Sequence, residues 1–96
     1  MAGYVIVDTE IHDHEGYERY KALARPIAER FGGEYLVRGG EMQVDDADLW
    51  SPTRMVVLRF PDTAAARAFL DSEEYAPVKA MRHEFARSTL VVVEGE

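Results

Sequence analysis

Residues 4–8 have the sequence YVIVD, a β-branched and aromatic run that predicts a strand. Side chains alternate between the two faces of a strand, and here both sets are apolar. The valines lie on one face, and the tyrosine and isoleucine lie on the other. The last run, STLVVVE at residues 88–94, has the same two-sided character. A sheet built from such strands needs an apolar cover on both of its faces.

The sequence between these two runs predicts the order helix, strand, strand, helix. Apolar residues at spacings of three and four follow the predicted N-cap Asp13 and end at Gly32-Gly33. The two middle strands are predicted at residues 34–38 (EYLVR) and 54–60 (RMVVLRF), with residues 41–44 continuing the first of them beyond a glycine pair. A second helical region begins after Pro61-Asp62, is interrupted at Asp71-Ser72 and continues beyond it.

This order, βαββαβ, predicts an α+β fold of the ferredoxin-like kind. The sheet is expected to have four antiparallel strands, with both helical segments on one face. Two helices cover one face only, and a chain of 96 residues buries about 60–65% of its unfolded surface. We therefore expect one domain, residues 1–96, that forms a homodimer through the uncovered face of the sheet.

Composition narrows the classes of partner. The net charge is −7, which disfavours binding to nucleic acids and to anionic membrane surfaces. The chain has no cysteine, and this excludes disulfides and thiolate chemistry. No apolar run approaches the roughly 20 residues that span a bilayer, and no leader peptide is predicted. A cytoplasmic location is expected.

Sequence motifs for common cofactors are absent. There is no glycine-rich dinucleotide or phosphate loop and no nucleophile elbow of the Gly-x-Ser-x-Gly type. His12 and His14 form a His-x-His pair without an evident third ligand, and a competent metal site usually needs one. The sequence therefore predicts neither a metal site nor a bound cofactor.

Four segments together resemble a known family. They are GGEYLVRGG at residues 32–40, WSPTRMVVLRFP at residues 50–61, SEEY at residues 72–75 and VEG at residues 93–95. In this combination the chain resembles the family called domain of unknown function 1330, DUF1330, over nearly its whole length. The resemblance implies a dimeric α/β barrel, in which two ferredoxin-like subunits pack sheet against sheet. It also implies a superfamily of cofactor-independent monooxygenases, lactone isomerases, and haem or small-molecule binders, without naming a catalytic residue.

Six residues are candidates for contact with a ligand. Arg38, at the end of a strand and before two glycines, could hold a carboxylate in bidentate fashion. Trp50 and Arg54 flank the entrance to the third strand, where an indole could form a pocket wall, cap the core or belong to a dimer interface. The other candidates, which could supply hydroxyl or imidazole groups, are Tyr20, Tyr75 and His83.

Two functional hypotheses remain open at this stage. In the first, a small carboxylate- or carbonyl-bearing metabolite lies between sheet and helices, oriented by Arg38 and walled by Trp50 and the tyrosines. Proton transfer, isomerisation or cofactor-free oxygenation would then convert it, by analogy with the superfamily. In the second, the protein is a non-catalytic dimeric ligand-binding or accessory module. No pairing of a nucleophile with a base is visible in the sequence to decide between them.

Overall fold

The computed structural model describes all residues from Met1 to Glu96 and confirms the βαββαβ order. The second helical region is divided into two helices by the predicted interruption. The elements are β1 (Gly3–Ile11), α1 (His14–Arg30), β2 (Glu34–Arg38), β3 (Met55–Phe60), α2 (Thr63–Leu70), α3 (Ala76–Phe85) and β4 (Ala86–Glu94).

The four strands form one antiparallel sheet in the order β2-β3-β1-β4. In the central register, Ile6 lies between Val57 of β3 and Val91 of β4. The β2–β3 ladder shifts register between Tyr35 and Val37, which marks a β-bulge in the edge strand. The ferredoxin-like sheet predicted from the strand pattern is therefore present.

All three helices lie on one face of the sheet and enclose the hydrophobic core. Val5 and Val7 of β1 are almost fully buried there, as the alternation in residues 4–8 predicts. Phe69 of α2 stacks against Phe60 and lies 4.3 Å, between ring centroids, from Tyr75. The remaining core residues from the helices are Ala24, Ile27, Ala28, Ala66, Leu70 and Val78.

Side-chain caps fix where the helices begin. Asp13 accepts a hydrogen bond from the Gly16 N–H at 2.9 Å and confirms the predicted N-cap of α1. Asp62 caps α2 in the same way, through the Ala65 N–H at 2.7 Å. Ser72 turns the chain between α2 and α3, since its hydroxyl donates to the Phe69 carbonyl and accepts from the Tyr75 N–H.

The opposite face of the sheet has no helix on it. We call it the open face and define it by the outward side chains of Tyr4, Ile6, Asp8, Met55, Val57, Thr89, Val91 and Val93. Val91 and Val93 remain 47% and 45% exposed. Leu49 and Trp50, from the connection between β2 and β3, lie against part of this face. Its apolar character agrees with the two-sided pattern in the sequence.

The expected extension of β2 through residues 41–44 is wrong. These residues have no regular structure, and the strand ends at Arg38. Gly39 has φ 72° and donates its N–H to the Met55 carbonyl at 2.8 Å. This left-handed turn directs the chain away from the β-ladder. No helix in the structure combines the length and apolar character needed to cross a membrane.

Replacement of Gly39 tests this turn. Gly39→Ala is expected to lower the free energy of unfolding by about 1–2 kcal/mol, because alanine is strained in the left-handed region. Its Cβ would also lie 2.6 Å from Arg54 Nε. Gly40→Ala is the matched control, since a Cβ there meets no atom within 4 Å. Urea denaturation of both variants measures the difference, and equal losses would contradict the assignment.

Candidate functional site

A small cavity lies between the sheet and helices α1 and α3. Its volume is about 30 Å³. Its walls combine aromatic and cationic side chains with two core valines from β1 and β3. The lining residues are Val7, Tyr17, Tyr20, Lys21, Tyr35, Arg38, Arg54, Val56 and Arg82. We call this space the cleft.

The cleft is cationic and contains no acidic side chain. Arg38, Arg54, Arg82 and Lys21 line it, and no aspartate or glutamate does. Lys21 reaches Glu18, an exposed neighbour on α1, at 3.2 Å. The three arginines have no carboxylate within 4.0 Å, because none of them takes part in an ion pair. The positive charge of the three arginines is therefore uncompensated by an ion pair within the protein.

Two guanidinium groups in the cleft have buried nitrogens without hydrogen-bond partners. Arg82 is only 5% exposed, and its Nε has no acceptor. Arg54 Nη1 is likewise buried and unpaired. A buried donor that lacks an acceptor costs about 1–3 kcal/mol, and more when it belongs to a charged group. These unpaired donors add to the cost of burying the two charged groups.

Aromatic rings hold two of the arginines in place. The Arg38 guanidinium carbon lies 4.4 Å from the ring centroid of Tyr35, and Nη2 donates to the Lys21 carbonyl at 3.0 Å. The Arg54 guanidinium lies 5.4 Å from the ring centroid of Tyr17. Cation–π contacts of this kind stabilise a cation without neutralising its charge. Both groups thus remain available to an anion.

His83 lies beside the cleft rather than in it. Its ring is exposed, and Nε2 is 3.3 Å from Nη2 of the adjacent Arg82. Desolvation and the neighbouring Arg82 charge lower the pKa of His83 below its ordinary value. A neutral imidazole can accept the Arg82 N–H. His83 therefore occupies one donor of Arg82 and does not line the cavity.

Tyr20 and Tyr75 form a pair of hydroxyl groups at the helix side of the cleft. Their oxygens are 2.7 Å apart, and Tyr20 lines the cavity while Tyr75 lies behind it in the core. Burial is the main cause that raises the pKa of both phenols, so both are protonated at neutral pH. When Tyr75 donates to Tyr20, the proton of Tyr20 is free to donate into the cleft.

Trp50 lies on the open face, where it bonds to a carboxylate. Its Nε1–H donates to Asp8 Oδ2 at 3.0 Å, and the indole remains 56% exposed. Desolvation opposes ionisation of Asp8, but hydrogen bonds from the backbone of Arg54 and Thr53 and from Trp50 outweigh it and lower its pKa. Beside Trp50 is a wider apolar pocket of about 410 Å³.

The sequence-predicted candidates thus divide between two faces of the sheet. Tyr20, Arg38 and Arg54 meet in the cleft, and Tyr75 stands one hydrogen bond behind them. Trp50 does not converge with Arg38, so it is not a wall of that cavity. No group of three or more acidic, histidine or cysteine side chains is placed to hold a metal ion.

Sequence reasoning missed Arg82, the most buried cation of the cleft. Arg82 and Glu84, the charged neighbours of His83, suggested a solvated stretch, yet Arg82 continues the spacing of three and four that begins with Tyr75 and Val78. That periodicity was a usable signal for the buried face of α3. Tyr17 carried the same signal, since it begins the spacing of three and four along α1.

Solved structures similar to this chain share its fold at low sequence identity. A protein of unknown function from Rhodopseudomonas palustris has a TM-score of 0.76 and 17% identity, over 99% of this chain and 82% of that one. A dimeric ferredoxin-like protein of unknown function from Jannaschia sp. has a TM-score of 0.66 and 18% identity, over 99% and 100%. SnoaB, a cofactor-independent oxygenase from Streptomyces nogalater, has a TM-score of 0.65 and 15% identity, over 99% and 93%.

Comparison by sequence gives a family without a function. No curated protein matches the chain significantly. The family described as a domain of unknown function, DUF1330, matches residues 2–96. The match agrees with the segments at residues 32–40 and 50–61 and with the ferredoxin-like sheet. The chain therefore belongs to the DUF1330 family.

Proposed function

We propose that the protein binds a small organic acid in the cleft, with the carboxylate of the ligand paired to the arginines. The observation that carries the proposal is the nearly full burial of Arg82 without any carboxylate partner. An isolated buried charge is costly enough that proteins normally pair it. An anionic ligand supplies the missing partner and relieves the repulsion among the cations.

The size of the cleft limits the part of the ligand that enters it. A volume of about 30 Å³ holds roughly two water molecules. A carboxylate with one or two further atoms fits this space. Lys21 and Arg38 also line an exposed groove of about 350 Å³ along α1, together with Arg25 and the carboxylates of Glu18 and Glu29. A longer ligand would place its remainder in that groove.

The hydroxyl of Tyr20 favours an acid that carries a second oxygen. It lines the same cavity as the arginines, and its Tyr75 partner can leave its proton free to donate. A carbonyl oxygen next to the carboxylate, as in a 2-oxo acid, is an acceptor of suitable size. We therefore propose 2-oxo acids as the preferred class within the small carboxylates.

Binding is better supported than conversion of the ligand. Acid–base catalysis near pH 7 needs a group that takes up a proton, most often histidine or a carboxylate. No such residue lines the cleft, and the raised phenol pKa values of Tyr20 and Tyr75 keep both groups protonated. The similarity to SnoaB rests on the fold, which does not determine function.

We also propose that two copies of this chain form a homodimer through the open face. The apolar side chains of Ile6, Val57, Val91 and Val93 and the exposed Trp50 support this arrangement. The Jannaschia protein of similar fold is dimeric. Burying such side chains contributes about 25 cal/mol for each Å² removed from water.

Replacement of Arg82 tests anion binding. In Arg82→Met we expect the ligand-free protein to gain about 1 kcal/mol of unfolding free energy, because an unpaired charge leaves the core. The stabilisation that acetate or pyruvate gives the wild type should be lost. Thermal unfolding with and without each acid, at constant ionic strength, measures both effects.

Arg67→Met is the matched control for this prediction. Arg67 is exposed on α2 and pairs with Asp71 at 2.8 Å, away from the cleft. Its loss should change stability little, because an exposed ion pair contributes little, and should leave the response to acetate intact. Equal responses of wild type and Arg82→Met to the acids would contradict the proposed function.

Replacement of Tyr20 tests the preference for 2-oxo acids. We expect the wild type to bind pyruvate about tenfold more tightly than propionate, the scale of one good hydrogen bond. Tyr20→Phe should remove that preference while propionate affinity stays the same. Tyr4→Phe is the control, since Tyr4 lies on the open face and does not line the cavity. Chemical-shift titrations measure the affinities, and an unchanged preference in Tyr20→Phe would refute this role.

A lysine on the open face tests the dimer. Val91→Lys places a charge among the apolar side chains of this face and should yield a monomer, because an unpaired buried charge is costly. Leu23→Lys is the control, since Leu23 on α1 is 48% exposed and Val91 is 47% exposed. Sedimentation equilibrium distinguishes the two variants. A dimer that persists in Val91→Lys, or dissociates in both, would contradict the assignment.

A further inference from the structure

We propose that Asp8 is a positioning residue for the anion-binding cleft: from the open face, it fixes the backbone of Arg54 and thereby holds the Arg54 guanidinium in the cavity. This inference rests on the proposed function of the cleft. It goes beyond that proposal because Asp8 neither lines the cleft nor points toward it. The two residues act from opposite faces of the same sheet.

The carboxylate of Asp8 collects three hydrogen bonds from the connection between β2 and β3. Oδ1 accepts from the Thr53 N–H at 2.8 Å and from the Arg54 N–H at 3.0 Å. Oδ2 accepts from the Trp50 indole N–H at 3.0 Å. Hydrogen bonds to an ionised acceptor are stronger than those between neutral groups. The Asp8 side chain thus fixes both the backbone at the end of this connection and the Trp50 indole.

A further hydrogen bond from β1, made by its backbone, also holds Arg54. The Thr9 N–H donates to the Arg54 carbonyl at 3.0 Å. Consecutive residues of β1, Asp8 and Thr9, therefore bind the N–H and the C=O of one residue. With both backbone groups fixed, the alternation of the strand directs the Arg54 side chain to the helix-covered face.

The Arg54 guanidinium has no polar anchor of its own. It makes no hydrogen bond or ion pair with another side chain; the Tyr17 ring centroid lies 5.4 Å from it, and a Cβ at Gly39 would lie 2.6 Å from its Nε. Arg54 is also the last residue of a connection without helix or strand, residues 39–54. A long side chain on a loosely held backbone would occupy several rotamers instead of a single one. Its placement consequently depends on the anchor at Asp8.

The test compares anion affinity in two carboxylate variants of β1. We expect Asp8→Ala to weaken pyruvate binding about tenfold. Glu10→Ala is the matched control, since Glu10 lies on the same side of β1 and contacts only the exposed Arg87 at 3.5 Å. In the Arg54→Met background, Asp8→Ala should cause no further loss, whereas in the Lys21→Met background the full tenfold loss should remain. Equal effects in both backgrounds would overturn the proposal.

A spectroscopic readout separates this proposal from the proposed function. The Nε–H resonance of Arg54, assigned by its absence in Arg54→Lys, reports the guanidinium environment without any ligand. We expect it to be dispersed in the wild type and in Glu10→Ala, and to move to the free-arginine position in Asp8→Ala. Asp8→Asn, which keeps one acceptor oxygen, provides a milder second variant if Asp8→Ala unfolds.

The two readouts give distinct failures. A wild type that binds no carboxylate but shows the shift in Asp8→Ala would refute the proposed function and leave the anchor confirmed. An Arg54 resonance that stays unchanged in both Asp8 variants would overturn the positioning role, whatever the wild type binds.

Discussion

The burial of guanidinium groups without counter-charges is the constraint on which this molecule depends. Arg82 is 5% exposed, and Arg54 and Arg38 line the same small cavity. Packing α1 and α3 onto the sheet brings these cations together, although their mutual repulsion opposes that packing. Aromatic rings from α1 and β2 and the neutral His83 moderate the cost without removing the charge. The core therefore contains positive charge without a counter-charge from the protein, and this observation supports the proposed anion site.

Much of the fold could be predicted from the sequence because period-two and helical patterns report burial directly. Both faces of residues 4–8 are apolar, and the structure places one face in the core and leaves the other open. The failure at residues 41–44 has a local cause, since the left-handed turn at Gly39 is a backbone property that a strand-like composition does not reveal. A hydrophobic pattern in the sequence indicates which side chains are buried more readily than it indicates where the backbone turns.

The candidate site could be predicted only in part, for a related reason. Arg38 and Arg54 stood out by their positions at strand ends, and Tyr20 by its place on a helix face, and the three do meet. Trp50 was a candidate for the pocket wall, the core or a dimer interface, and the structure places it on the open face, on the opposite side of the sheet from the Arg54 side chain. Arg82 has polar neighbours in the sequence of α3, but its burial follows from its helical spacing from Val78 and not from the local composition. Convergence of side chains from separate elements is a tertiary property, and a single sequence does not contain it in readable form.

The connection at residues 39–54 touches both faces of the sheet, with Trp50 on one and Arg54 on the other. This arrangement has a consequence for how the protein can change over evolutionary time. A substitution in this segment that alters the contacts of one face also shifts the backbone that serves the other, so its effects are pleiotropic. Changes in the proposed ligand preference are then easiest through α1 and α3, because their cleft residues Tyr20 and Arg82 do not also contact the open face. Innovation at the helix layer can proceed while the connection stays fixed.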